Sequence, residues 1–249
     1  MGPGHEAGLT REAVAALGQA EAVFGYGLYL DQARPFLSDA CQVEASGMTQ
    51  ELARAERALE LALAGLRVAV VSGGDSGVYA MAGAVFELAA AKKLNLGTGP
   101  GQLLIQVTAG VPAVIAGAAR LGAPLTHDFC AISLSDRLTP WPLIEKRLDL
   151  ASQAGFVIAL YNPKSHGRDW QLARAAEILG QNLPGQTPVG LVSRCGREGQ
   201  KTAITELGSL ASQEVDMQTL AIVGNQTTFV YQGYLITPRG YAAKYRDKV

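Results

Sequence analysis

The sequence predicts an α/β protein made of two α/β domains with a cleft between them. Three observations carry the prediction. An amphipathic helical segment runs straight into a β-branched apolar run at Val68–Val71; that helix-then-strand order recurs along the chain; and past residue 200 the alternation gives way to strand-like segments with no long helix between them.

In chain order, Leu52, Ala55, Leu59, Leu63 and Leu66 recur at helical spacing, with Glu51, Arg54, Arg57 and Glu60 on other faces. Thr49 suits an N-cap and Gly65 a C-terminal stop. Val68-Ala69-Val70-Val71 then reads as a strand buried on both faces. A glycine-rich loop leads to a small-residue helix over residues 78–91, a strand over 103–108, a helix over 113–121 and a strand over 129–134. The second series is a helix over 142–153, a strand over 156–161, a helix over 169–181 and a strand over 188–193. Residues 220–223 and 228–236 carry strand-type side chains, so the second domain is mixed in strand direction. The expected domains are residues 1–130 and 131–249, meeting between Thr126 and Arg137 without a low-complexity linker. Domain clefts and the carboxyl ends of parallel strands are where ligands bind in such folds.

Composition narrows the function. The chain has 249 residues, 48% of them hydrophobic, enough for a sizeable core. Twenty-one basic residues against 22 acidic ones leave a net charge of -1, without the broad positive field that nucleic-acid binding uses. The most apolar stretch, residues 106–125, is broken by Gly110, Pro112, Gly117, Arg120, Gly122 and Pro124, so no membrane span is expected. The first residues lack the basic start and apolar core of a secretory signal, and a cytoplasmic location is the expectation. Cys41, Cys130 and Cys195 are scattered, as are His5, His127 and His166, which suggests neither disulfides nor a metal site.

The chemistry-bearing feature is Ser72-Gly73-Gly74-Asp75-Ser76-Gly77, between a strand and a helix. Such a turn exposes backbone N–H groups, its glycines admit a ligand close to the main chain, and Asp75 can accept hydrogen bonds from hydroxyls or an amine. On its own it is as compatible with a plain turn as with a nucleoside site. It is neither a P-loop nor a G-x-G-x-x-G fingerprint.

Further strings extend the pattern: Gly2-Pro3-Gly4, Gly110-Val111-Pro112-Ala113 and Ala123-Pro124-Leu125-Thr126-His127-Asp128. With the Gly-Gly-Asp loop they resemble the tetrapyrrole methylase family over essentially the whole chain. Phe129-Cys130-Ala131-Ile132-Ser133-Leu134-Ser135-Asp136, Thr139-Pro140-Trp141, Leu160-Tyr161-Asn162-Pro163 and Ser193-Arg194-Cys195-Gly196-Arg197-Glu198-Gly199 are similar to its precorrin-3B C17-methyltransferase branch. The resemblance implies a homodimer that binds S-adenosylmethionine, releases S-adenosylhomocysteine, and methylates precorrin-3B at C17 with ring contraction to precorrin-4 in cobalamin biosynthesis. By matching positions it implies cofactor contacts from Pro3, Gly73, Gly74, Asp75, Val78, Pro112, Ala113, Tyr161, Asn162 and Cys195 or Gly196.

Methyl transfer from a sulfonium asks mainly for positioning, whereas ring contraction asks for a proton donor or acceptor over the macrocycle. Tyr26, His127, Asp128 and Arg194 are the candidates; His127 is equally readable as a turn residue and Asp128 as a cap. Arg137, Lys164, Arg168, Arg194 and Arg197 lie in expected loops, where they can meet substrate carboxylates or simply face water. Tyr26, Tyr29 and Trp141 can stack on a macrocycle or pack as ordinary core.

Two positions depart from the family. Its apolar strand leading into the Gly-Pro-Gly turn has no counterpart ahead of Gly2, so either the true start lies upstream or the sheet lacks a strand, and Val68–Val71 becomes an exposed edge unless something covers it. Pro112 stands where relatives carry a hydroxyl, which leaves Ala113 the stronger candidate. The alternatives are the same chemistry on a cobalt-containing precursor and a nucleotide-binding protein without turnover.

Overall fold

The computed structural model describes all residues except Met48, His166, Arg168 and residues 246–249. The sequence-read residues His166 and Arg168 therefore lie outside the described set. The chain forms two compact units, Met1–Ala113 and Val114–Val249.

The first unit contains α1 (Arg11–Gln19), β1 (Ala22–Gly25), α2 (Gly27–Ala33), β2 (Gln42–Ala45), α3 (Glu51–Leu63), β3 (Val68–Val71) and α4 (Met81–Ala91). Thr10 caps α1, its hydroxyl accepting from the Ala13 amide at 3.2 Å. The three strands form a parallel sheet in the order β2-β1-β3. Side chains alternate between its faces: Val23 and Val71 pack with Leu17, Leu30 and Ala33, and Phe24 packs with Ala58, Val68 and Val70. Gly65 ends the α3 region with φ +97°, a conformation that favours glycine.

The second unit contains α5 (Ala113–Leu121, from Val114 onward), β4 (Gly122–Ala123), β5 (Phe129–Ser133), α6 (Trp141–Gln153), β6 (Val157–Tyr161), α7 (Gln171–Leu179), β7 (Pro188–Ser193), β8 (Lys201–Glu206), β9 (Thr219–Val223), β10 (Phe229–Tyr231) and β11 (Tyr234–Ile236). Its main sheet has the order β5-β6-β9-β7-β8, with β5 and β6 parallel and the remaining pairs antiparallel, so strand direction is mixed as expected. Hairpin β10–β11 joins β4 in a smaller sheet. Along β6, Ile158 and Leu160 enter the core with Ile144, Leu148 and Leu172, while Val157 and Ala159 face Val114, Ala118 and Leu121. Val157, Ile158, Ala159 and Leu160, four of the five β6 residues, are 0% exposed, the signature of a strand covered on both faces and paired on both edges.

Several expectations are corrected. The unit boundary falls at Ala113/Val114, not near residue 130, because α5 packs under the second sheet and β4 pairs with β11. Thr49 does not cap α3; it has φ +69°, and Gln50 occupies the cap position. Arg54 is buried, not on an outer face. The helix after the glycine loop begins at Met81 instead of residue 78, because Tyr79 has φ +52° and Ala80 is extended. Residues 103–108 form no strand beyond an isolated bridge of Leu103 to Leu96. Val68, Ala69 and Val70 are only partly buried. The last two corrections share a cause: β3 pairs with β1 along one edge and, among the described residues, with no strand along the other.

Candidate functional site

In the first unit, the carboxyl ends of the three parallel strands bring Tyr26, Ser46-Gly47 and Ser72-Gly73 to one edge. The glycine loop there is pinned from two sides. Gly2 and Gly74 exchange backbone hydrogen bonds of 3.0 and 2.7 Å, with φ +61° and +66°, and the Met1 ammonium donates to the Ser72 carbonyl at 2.9 Å. On the other side, the 108–113 segment lies against the loop. Ser76 Oγ donates to Thr108 O at 3.3 Å, and a Cβ on Gly74 would come within 3.5 Å of Pro112 Cα and 3.7 Å of the Ala113 nitrogen. Pro3 packs against Gly8, and the Val78 amide closes the turn onto Asp75 O at 3.2 Å.

Asp75 holds these pieces together. Its Oδ1 accepts from the Gly77 amide and its Oδ2 from the Gly110 amide, each at 2.8 Å. Gly110 itself has no room for a side chain, since an added Cβ would collide with the Gly74 carbonyl. The amides of Gly73, Asp75, Ser76 and Ala113 have no hydrogen-bond acceptor among the described residues. These open donors, beside glycines that leave the main chain bare, are what an acceptor-bearing ligand would use.

Tyr26 stands at the end of β1, edge-to-face with Tyr29 at 6.1 Å between ring centroids. The Tyr29 ring in turn covers Gly73, where an added Cβ would stand 2.7 Å from it. Tyr26 thus stands beside the glycine loop within the first unit. Arg54 secures the neighbouring strand end: it donates to Ser46 Oγ at 2.6 Å, Ser46 O at 3.3 Å and Gly47 O at 3.0 Å. Burial pulls its guanidinium below its ordinary pKa, with Glu51 and Tyr29 opposing the shift.

In the second unit, β5, β6 and β7 end at one edge carrying Ser133, Tyr161-Asn162 and Ser193-Arg194-Cys195. The Tyr161 hydroxyl accepts from the Val114 amide at 2.9 Å and so caps the first turn of α5. Asn162 has φ +53° and donates to Ser133 Oγ at 2.9 Å. Arg194 also has a left-handed backbone, φ +50°, and is exposed. Cys195 packs beside the α5 cluster; burial pushes its thiol up, partly offset by Arg120 and Arg197.

His127 and Asp128 lie elsewhere. They precede β5 at its amino end, exposed, and the Asp128 amide donates to His127 Nδ1 at 2.8 Å, a local turn. Five strand residues separate them from the Ser133 and Asn162 edge, about 17 Å at strand rise. Trp141 packs edge-to-face on Trp170 at 4.7 Å and donates its Nε1–H to Glu145. Sequence reasoning missed Arg54, Ser133 and the pinning role of Gly110. The separation of Arg54 from the apolar positions of α3 hid it, since only its partners Ser46 and Gly47 reveal burial.

Comparison with known proteins adds the following. The sequence model described as Tetrapyrrole (Corrin/Porphyrin) Methylases matches residues 1–211. A probable cobalt-factor III C(17)-methyltransferase of Salmonella typhimurium is 48% identical over 241 residues, covering 97% of each chain. A precorrin-3B C(17)-methyltransferase of Sinorhizobium sp is 44% identical, covering 97% of this chain and 94% of the relative. Among solved structures, the methyltransferase CobJ superposes with a TM-score of 0.88 at 38% identity, covering 95% of this chain and 96% of that one. A uroporphyrin-III C-methyl transferase from Thermus thermophilus, complexed with S-adenyl homocysteine, shares the fold with a TM-score of 0.67 at 21% identity, covering 90% of this chain and 89% of that one.

Proposed function

The chain belongs to the tetrapyrrole (corrin/porphyrin) methylases, and from that premise we propose that it transfers a methyl group from S-adenosylmethionine to C17 of precorrin-3B, with ring contraction, in cobalamin biosynthesis. The observation that carries the cofactor assignment is the set of open amides at Gly73, Asp75 and Ser76 beside Gly74, with the Ala113 nitrogen 3.7 Å from where a Gly74 Cβ would stand. The group fits: the carboxylate and hydroxyls of the cofactor are acceptors, the open amides are donors, and each Asp75 oxygen keeps a lone pair for a ribose hydroxyl. When bound, the cofactor supplies a methyl group already activated on a sulfonium.

The chain's own residues then bind and orient. Gly73, Gly74 and Asp75 with Ala113 supply the loop contacts, and the family resemblance adds Tyr161, Asn162 and Cys195 to the expected set. Pro112 contributes no amide, which favours Ala113 as the contact. Positioning an activated donor against an electron-rich carbon accounts for much of such a rate enhancement. Tyr26, whose hydroxyl can donate or accept a proton, is the favoured residue for the ring-contraction step, and exposed Arg194 suits a substrate carboxylate. The homodimer and the cytoplasmic location belong to the same proposal; no helix among the described residues is long and apolar enough to cross a membrane.

A second reading, the same reaction on a cobalt-containing precursor, has the support of the Salmonella relative's name. Incubating the protein with S-adenosylmethionine and each substrate, followed by mass spectrometry, separates them. One added methyl group with precorrin-3B supports the proposal, gain only with cobalt-factor III supports the second reading, and gain with neither overturns both.

A further inference from the structure

The carboxyl edge of the second unit's sheet carries apolar side chains that the fold itself does not use. β5 and β6 are parallel neighbours with Ser133 opposite Tyr161, so the segments that follow them, residues 134–140 and 162–170, leave the sheet side by side. Two bonds tie these segments together: Asn162 Nδ2 donates to Ser133 Oγ at 2.9 Å, and Gln171 Nε2 donates to Asp136 Oδ2 at 3.4 Å. The second tie sets Leu138, two residues after Asp136, in the neighbourhood of Trp170, one residue before Gln171. Leu138 is 98% exposed and Trp170 47%. An exposed leucine alone means little, but a leucine and a tryptophan exposed on tied loops make the kind of patch that marks a binding surface.

Trp170 does not serve the helix it precedes. It occupies the N-cap of α7, where Ser, Thr, Asp or Asn would accept a bond from the first turn, and its side chain makes no cap bond. Its ring is nevertheless held. Trp141 meets it edge-to-face at 4.7 Å between centroids, with 71° between the planes. Trp141 is fixed in turn by its Nε1–H donating to Glu145 Oε1 at 2.9 Å, and Glu145 by Arg174 at 2.7 Å. An exposed aromatic side chain is thus buttressed before any ligand arrives, which cuts the entropy that binding would otherwise cost.

We propose that Trp170, with Leu138 beside it, is the platform against which the flat macrocycle of the substrate packs, and that Trp141 is its buttress and not itself the stacking ring. This rests on the reaction proposed above and adds to it the residue that positions the acceptor. Charge selects the occupant. Arg137 and Lys164, on the same two segments, are exposed and form no ion pair among the described residues. The acidic groups nearby are engaged or turned away: Glu145 is held by Arg174, Asp136 by Gln171, and exposed Asp169 precedes α7, where the helix amides favour a negative charge. An apolar, aromatic surface flanked by uncommitted cations fits a ring that is apolar on its faces and carries carboxylates around its rim.

The test compares the parent with Trp170→Ala and Trp170→Phe in methyl-transfer kinetics on precorrin-3B and on cobalt-factor III. Trp170→Ala should raise KM for the accepted tetrapyrrole about tenfold, with the KM for S-adenosylmethionine unchanged, and Trp170→Phe should recover most of the loss. Hydroxyl-radical footprinting of the parent, read by mass spectrometry, gives a measure that needs no turnover and no variant. With S-adenosylhomocysteine present, precorrin-3B or cobalt-factor III should slow oxidation of Trp170 and Leu138 relative to exposed Tyr234 on β11. A parent that methylates either substrate while Trp170→Ala keeps its tetrapyrrole KM overturns the platform alone. So does a loss shared equally by both KM values, which would make Trp170 merely structural, or a dimer that Trp170→Ala dissociates in sedimentation, which would make a second copy the occupant. Protection of Trp170 without methyl transfer keeps the platform and overturns the reaction, and neither protection nor transfer with either tetrapyrrole overturns both.

Discussion

Substituting Asp75 tests whether the glycine loop is a direct ligand contact or a shape that the carboxylate maintains. Two amide-to-carboxylate bonds of 2.8 Å converge on this side chain. Hydrogen bonds to charged groups contribute about 1.5–3 kcal/mol each; the exposed Gly77 bond belongs near about 1.5 and the half-buried Gly110 bond near about 2. Asp75→Asn keeps one acceptor but turns an N–H toward the other donor, so it loses about 2 kcal/mol, and Asp75→Ala about 3.5 kcal/mol. The cost is local, releasing residues 108–113 from the loop. If binding must restore the arrangement, affinity for S-adenosylhomocysteine falls about 30-fold for Asn and about 300-fold for Ala, at 1.4 kcal/mol per tenfold. Gly110→Ala, which drives the Gly74 carbonyl aside, should mimic Asp75→Asn, and the double variant should lose little more than either alone because both act on one linkage. Isothermal titration calorimetry gives the affinities and hydrogen exchange reports the 108–113 segment. Additive losses with unchanged exchange would refute the pinning role, and Asp75→Asn binding within threefold of the parent would refute the whole argument.

Arg54→Ala strips Ser46 and Gly47 of their buried donor and leaves a void, which should cost about 2–4 kcal/mol and lower the first unit's melting temperature by several degrees in calorimetry. Arg54→Lys should recover only part of that, since an ammonium cannot span the same carbonyls. Tyr161→Phe removes the acceptor for the Val114 amide and should destabilise by about 0.5–1.5 kcal/mol, with faster hydrogen exchange in the first turn of α5 and nowhere else. Burial pushes the Cys130 thiol up to about 11 from 9.0, so the folded state holds its proton where the unfolded chain has lost it. Stability from this residue is complete below about pH 9 and falls as pH rises through 9 toward 11; Cys130→Ala should flatten that limb of a denaturation-versus-pH series.

Periodicity, glycine and proline placement exposed most of the fold because those signals are local. Residues Ala113–Leu121 and Pro188–Ser193 form the elements expected of them, to the residue, since each has a clean period and an abrupt end. The site was legible as strings but not as roles. Asp75 reads as a ligand-binding carboxylate, yet its oxygens point at Gly77 and Gly110, and only long-range contact shows that Gly110 arrives there. His127 reads as a proton donor because of its type, while its place at the amino end of β5 is a matter of topology. The strand expected over residues 103–108 failed for a different reason. Its side chains are strand-like, but a strand is a property of a pair, and a segment with no ladder partner among the described residues keeps the composition without the ladder. The partial exposure of Val68, Ala69 and Val70 has the same origin, since among the described residues β3 has no strand partner along its edge away from β1.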